Sequence, residues 1–213
     1  NGLDVYASDK FPGLTVIIGK QILVNANFII NKDMRFFNCL FKIAPGVKIE
    51  IATEKTVYIY NSKLWSCGFR WKGILLTANP AKLILNNSSI ENADIGVQCG
   101  QNCIFESTAT TYNKNQVCIQ NVDGMNFSLN KFVNNRFTCT GNLLSSPNLQ
   151  IPGAIKTYAG IKITNGSLTI GTAANNGKSV NTFSGLIYGI LSVKANLYIT
   201  NCAFEDLGIV DVN

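Results

Sequence analysis

Val57-Tyr-Ile-Tyr-Asn61-Ser-Lys-Leu64, Leu83-Ile-Leu-Asn-Asn87-Ser-Ser-Ile90 and Leu197-Tyr-Ile-Thr-Asn201-Cys-Ala-Phe204 are three copies of one phrase: apolar, any, apolar, any, Asn, small, any, apolar. A Gly followed by Ile or Val recurs beside them, as Gly73-Ile74, Gly96-Val97, Gly160-Ile161, Gly189-Ile190 and Gly208-Ile209. Within each phrase the apolar residues alternate with the two-residue period of a strand, and no stretch of useful length shows a helical period. A repeat of about 20 residues with that internal period predicts short strands stacked coil upon coil. Hairpins do not fit, because each coil must return to the same place.

Aligning the apolar positions sets Ile29, Ile51, Ile74, Val97, Ile119, Thr140, Ile161, Ile190 and Ile209 at one site in successive coils, 19 to 29 residues apart. The expectation is an all-β, right-handed, single-stranded parallel β-helix of about nine coils. Residues 1–213 then form one domain, a rod of roughly 40 Å at ~4.8 Å per coil. Two loops leave the coil, near 143–153 and 171–178. Both ends read as cuts in a longer or processed chain. Phe132, Phe183 and Phe204 are expected in one interior column, and Cys99, Cys118 and Cys139 in another. Asn61, Asn87 and Asn201 fall where one strand bends into the next, where inward side chains would form a hydrogen-bonded ladder.

Composition agrees with short strands and many turns. The chain is 46% hydrophobic and 14% charged, with 27 Asn and 18 Gly, residues that tolerate positive φ. The net charge is +6, but 15 of the 18 basic residues are Lys, scattered without a run. Such scatter reads as a solvated surface that discourages edge pairing, not as a nucleic-acid or membrane patch. No apolar run is long enough to span a bilayer. Seven Cys cannot all pair within the chain, and His is absent. Without His or a Cys-x-x-Cys motif, neither a metal site nor a cofactor is expected, and the cysteines read as small core residues.

Pro45-Gly-Val-Lys-Ile-Glu-Ile51, Ser66-Cys67-Gly68, Trp71-Lys-Gly-Ile74 and Leu83-Ile-Leu-Asn-Asn-Ser-Ser-Ile-Glu-Asn-Ala-Asp-Ile-Gly-Val97 together resemble the right-handed parallel β-helix proteins exported to the surface of Bacteroidota-type bacteria. The resemblance covers about residues 40–97, with only the general repeat beyond. It implies a secreted or cell-surface location and says little about chemistry, since that family is mostly of unassigned function.

Many β-helices cleave polysaccharides, so the carboxylates bear on the reading. Glu91 and Asp94 follow one Asn phrase, and Glu205 and Asp206 follow another. Five ladder steps separate the two groups, roughly 24 Å, whereas glycosidase carboxyl pairs sit about 5–9.5 Å apart. Glu91 and Asp94 remain a local pair, with Arg70 or Lys72 one coil back. Nucleophilic triads lack their His. Trp65, Trp71, Tyr58, Tyr60, Tyr112 and Tyr158 could stack on sugars if aligned on the surface. Of these, Tyr58 and Tyr60 face outward if Val57 and Ile59 face in. No catalytic residue is assigned, and Tyr58, Tyr60, Glu91 and Asp94 are the candidate surface-binding residues. Two functions stand. One is a structural or adhesive extracellular rod that meets glycans or other surface proteins, or assembles into a longer rod or filament. The alternative is a β-helix that binds or cleaves a polysaccharide.

Overall fold

The computed structural model describes residues 4–77, 79–147, 155–171 and 179–208. They wind through eight coils of a right-handed parallel β-helix, three strands to a coil. The first coil holds β1 (Val5–Tyr6), α1 (Ala7–Lys10), β2 (Val16–Ile18) and β3 (Gln21–Val24). The second holds β4 (Phe28–Ile30), β5 (Met34–Phe37) and β6 (Leu40–Ile43), and the third β7 (Lys48–Ile51), β8 (Thr56–Tyr60) and β9 (Lys63–Trp65). Next come β10 (Gly73–Leu76), β11 (Lys82–Asn86) and β12 (Ser89–Glu91), then β13 (Ile95–Cys99), β14 (Ile104–Thr108) and β15 (Thr111–Asn113). The sixth coil holds β16 (Val117–Asn121), β17 (Ser128–Val133) and β18 (Arg136–Thr138). The last two are β19 (Ala159–Thr164), β20 (Ser167–Ile170) and β21 (Asn181–Ser184), then β22 (Tyr188–Val193), β23 (Asn196–Ile199) and β24 (Cys202–Glu205).

The first strands of all eight coils form sheet A and the third strands form sheet C. Sheet B, from β2 to β17, contains the second strands of only six coils; β20 and β23 pair separately. Seven steps along sheet A make the stack about 34 Å long.

Register corrects the expected ladder. The observed column runs Val5, Phe28, Ile49, Ile74, Val97, Ile119, Ile161, Ile190. Ile29 pairs with Glu50 on the outer face, and Ile51 belongs to the next inward column, beside Ile30 and Leu76. Thr140 lies outside the sheets, so Ile119 to Ile161 is one coil of 42 residues instead of two. The described coils therefore number eight, not nine. Ile209 lies outside the described residues, as do most of the two expected loops, 148–153 and 172–178.

The interior explains both sequence signatures. A ring stack runs Tyr112, Phe137, Phe183, Phe204, with centroids 4.8, 4.4 and 5.0 Å apart. Phe132 is not in it; it packs from sheet B against Phe137, at 6.1 Å. The rings press against the start of sheet A, where register aligns Gly73, Gly96, Cys118, Gly160 and Gly189. A Cβ on Gly96 would stand 2.5 Å from the Cys118 carbonyl oxygen, and one on Gly160 would stand 2.6 Å from the Phe183 ring. Glycine precedes the inward Ile or Val because the neighbouring coil leaves no room for a methyl group.

The Asn of the repeated phrase has a different job from the one expected. At the corner from sheet B to sheet C, Gly19, Asn38, Asn61, Asn87, Ala109, Asn134 and Asn201 all take the left-handed conformation, φ 44–64°. Asn adopts it with little strain. Asn61 and Asn87 point out to solvent, where Asn87 Nδ2 donates to Asn61 Oδ1 at 2.9 Å. The inward polar ladder is built one residue later. The Cys39 N–H donates to Ser62 Oγ (2.9 Å), the Ser62 N–H to Ser88 Oγ (3.1 Å), and the Asn135 N–H to Asn181 Oδ1 (3.0 Å). Cys99 and Cys118 also separate: Cys99 pairs with Leu76 and Asn121, Cys118 lies in the glycine column, and Cys139 lies beyond the end of β18.

Candidate functional site

The acidic candidates are tied to basic partners. Asp94 is buried, not exposed: Arg70 Nε donates to Asp94 Oδ1 at 2.8 Å, and Ser146 Oγ to Asp94 Oδ2 at 3.0 Å. Arg70 also donates from Nη1 to the Leu144 carbonyl and from its backbone N–H to the Ser145 carbonyl, each at 2.8 Å. The pair thus fastens the 143–146 segment over the corner of the fourth and fifth coils. Glu91 meets Lys63 Nζ at 2.8 Å on the outer face of sheet C, and its backbone carbonyl accepts the indole N–H of Trp71. Glu106 is held by Lys82 in the same way on sheet B. Glu205 is exposed on β24, four sheet steps from Glu91 on β12. That is about 19 Å, closer than the ladder suggested and still too far for a shared bond. Among the described residues no group of His, Cys, Asp or Glu converges as a metal site.

The aromatic candidates divide. Trp71 and Tyr112 are fully buried, with the Tyr112 hydroxyl 2.8 Å from Ser107 Oγ. Tyr58 and Tyr60 face outward, because Val57 and Ile59 fill the core. Parallel register carries their row across coils: Val16, Arg35 and Tyr58 form one outer column, and Ile18, Phe37 and Tyr60 the next. Phe37 stacks on Tyr60 (5.1 Å, 7°), Tyr58 lies 6.1 Å from Tyr60, and Arg35 covers the Tyr58 ring at 5.0 Å. With Val16 and Ile18 exposed, this end of sheet B is a flat apolar and aromatic platform with one guanidinium.

A second outer feature lies at the other end of the same face. In regular coils the first N–H of each sheet B strand donates to a carbonyl one coil back, as Lys82 does to Lys55, Ile104 to Ala81 and Ser128 to Cys103. At Ser167 that bond is replaced: its N–H donates to Asn126 Oδ1 at 2.8 Å. Asn121 bridges the same junction, accepting the Thr164 N–H and donating to the Thr164 and Met125 carbonyls. Asn165 Nδ2 donates to Asp123. These side chains hold the seventh coil off the sixth. No ladder joins β17 to β20, and a recess of about 520 Å³ opens between them. Sequence reading missed this place; its signal was the irregular step between Ile119 and Ile161.

The thiols are poor reagents. Burial pushes Cys99 well above the ordinary thiol range, with Cys103 adding to the effect, and burial also raises Cys103 and Cys118. Cys67 alone is exposed among the seven, all of which are free thiols. No helix among the described residues is long and apolar enough to cross a membrane.

Fold and surface together define a parallel β-helix with two outward features on one sheet. No protein-family model, curated protein or solved structure matches the chain.

Proposed function

We propose that this chain is a non-catalytic β-helix rod, secreted or held at a bacterial cell surface, that adheres to extracellular glycans or surface proteins through its outer faces. The observation that carries the reading is the platform of Val16, Ile18, Arg35, Phe37, Tyr58 and Tyr60, large apolar and aromatic side chains kept on the outside of a regular sheet. Exposed patches of this kind mark interaction surfaces, and Tyr and Arg are the residues that interfaces favour. The pairing of Glu91, Asp94 and Glu106 with basic side chains supports a binding role over acid–base chemistry. The location rests on the resemblance of residues 40–97 to exported β-helix proteins.

Adhesion of chain-coated beads to immobilised polysaccharides and extracellular proteins tests the proposal, with the Tyr58→Ser/Tyr60→Ser variant as control. Retention by the native chain and loss in the variant are expected. Release of reducing ends or unsaturated products from a polysaccharide, abolished by Glu91→Gln, would overturn it in favour of an enzyme.

A further inference from the structure

The recess between β17 and β20 has the chemistry of a sugar site. Ser128 and Asn130 stand on its β17 side. Ser167 and Thr169 line the β20 side, and parallel register sets Asn196 beside Ser167 and Tyr198 beside Thr169. All six side chains are exposed. Hydroxyls and carboxamides both donate and accept, as the hydroxyls of a sugar do, and none of the six carries a charge. The opening continues into a shallower recess past Asn126, Asn165 and Lys194. A volume of about 520 Å³ lies within the usual range of ligand sites.

Tyr198 differs from the chain's other outward tyrosines. Tyr58 and Tyr60 stack with neighbouring rings, and Tyr158 meets Tyr188 edge-on at 5.3 Å. Tyr198 is 62% exposed, and no ring pairs with it among the described residues. An aromatic side chain with one apolar face and one polar tip suits a ligand that is apolar on its ring faces and polar at its edges.

We infer that this recess binds an uncharged oligosaccharide, one pyranose stacked on Tyr198 and its neighbours' hydroxyls paired with Asn130, Asn196, Ser167 and Thr169. An extended peptide is the other occupant that a broken sheet invites. Two observations count against it. The register of β17 shifts between the partners of Phe105 and Ser107, a bulge of the kind that spoils an edge for strand addition. The Ser167 N–H, the first that a guest strand would use, is already taken by Asn126. The inference gives the proposed binding role a ligand class at a different place from the Tyr58 and Tyr60 platform, so the two fail separately.

Calorimetric titration of the whole chain with neutral tetra- to hexasaccharides (gluco-, manno-, xylo- and chito-series) tests it. Binding is expected for at least one series, weakened about tenfold in Tyr198→Ala, weakened also in Asn130→Ala, and unchanged in Tyr58→Ser/Tyr60→Ser. Both groove side chains are exposed, so an unaltered thermal melt verifies that these variants fold. The inference is overturned if no neutral series binds at millimolar concentration. It also fails if binding survives Tyr198→Ala and Asn130→Ala undiminished, or if uronate oligomers or extended peptides bind the recess in preference.

Discussion

Replacing Arg70 by Met is expected to destabilise the rod and free the segment that crosses its corner, with no loss of exposed surface. Both side chains of the Arg70–Asp94 pair are nearly inaccessible, at 4% and 5%. Arg70→Met leaves the Asp94 carboxylate buried with Ser146 Oγ as its remaining hydrogen-bond partner. An uncompensated buried charge of that kind costs about 3–5 kcal/mol. Removing both charges, in Arg70→Met/Asp94→Leu, removes the desolvation penalty along with the attraction, so the double variant is expected to be more stable than Arg70→Met alone. Denaturant unfolding followed by tryptophan fluorescence measures the difference, since Trp71 is fully buried next in sequence. Limited proteolysis gives a local reading: with the Arg70 bond to the Leu144 carbonyl gone, cleavage near residues 143–146 should precede global unfolding. A cost below about 0.5 kcal/mol, the range of ordinary surface substitutions, would refute the buried pair and with it the anchoring of the segment.

Ala109 holds φ 50° at an exposed corner where other coils place Asn, so Ala109→Asn should raise stability by about 0.5–1 kcal/mol in denaturant titration. Gly96→Ala puts a methyl group 2.5 Å from a backbone oxygen, and a loss of about 1–3 kcal/mol by the same measurement is expected. Phe183→Ala opens the ring stack at its centre and should cost about 3–5 kcal/mol. Thiol labelling of the native chain should modify Cys67 and leave Cys99 and Cys118 untouched until denaturant is added. Burial raises these two thiols, and pushes Cys202 up to about 11 from its ordinary 9.0. The folded chain therefore keeps protons that the unfolded chain releases. This part of the stability is complete below about pH 9 and falls as pH rises, which melting temperatures on either side of that value would register.

What the sequence made legible is what repeats. Alternation in Val57–Tyr60 and the recurring Asn read directly as strand and corner, because each coil imposes the same backbone on the next. The sense of the Asn was harder. Side-chain direction at a corner depends on the sign of φ: at φ 48° Asn61 turns outward and hands the inner position to Ser62. Nothing in the spacing distinguishes those neighbours. Counting failed at Thr140 because a 42-residue coil divides into two plausible steps of 21 residues, and only pairing of Ile119 with Ile161 excludes the division. Asp94 misled for a related reason: its partner Ser146 lies 52 residues away, in the excursion that the repeat does not describe.

Regularity and recognition pull in opposite directions on this fold. Where coils match, every strand of sheet B spends its backbone groups on its neighbours and only side chains reach outward; such a face can be flat and adhesive but has no depth. Depth appears where the match fails. The long coil brings Asn121, Asn126 and Asp123 against the seventh coil, and their side chains take over bonds that strand pairing would otherwise make. The stack stays continuous through sheets A and C while sheet B parts. A coil insertion thus converts part of a structural rod into a ligand-sized recess without interrupting the two sheets that hold it together. If that is the origin of the recess, Asn126→Ala should weaken oligosaccharide binding although Asn126 lies outside the Tyr198 end, because the spacing of β17 and β20 depends on it. The same variant should leave bead adhesion through Tyr58 and Tyr60 intact. Equal loss of both would mean that Asn126 supports the whole rod and not the opening.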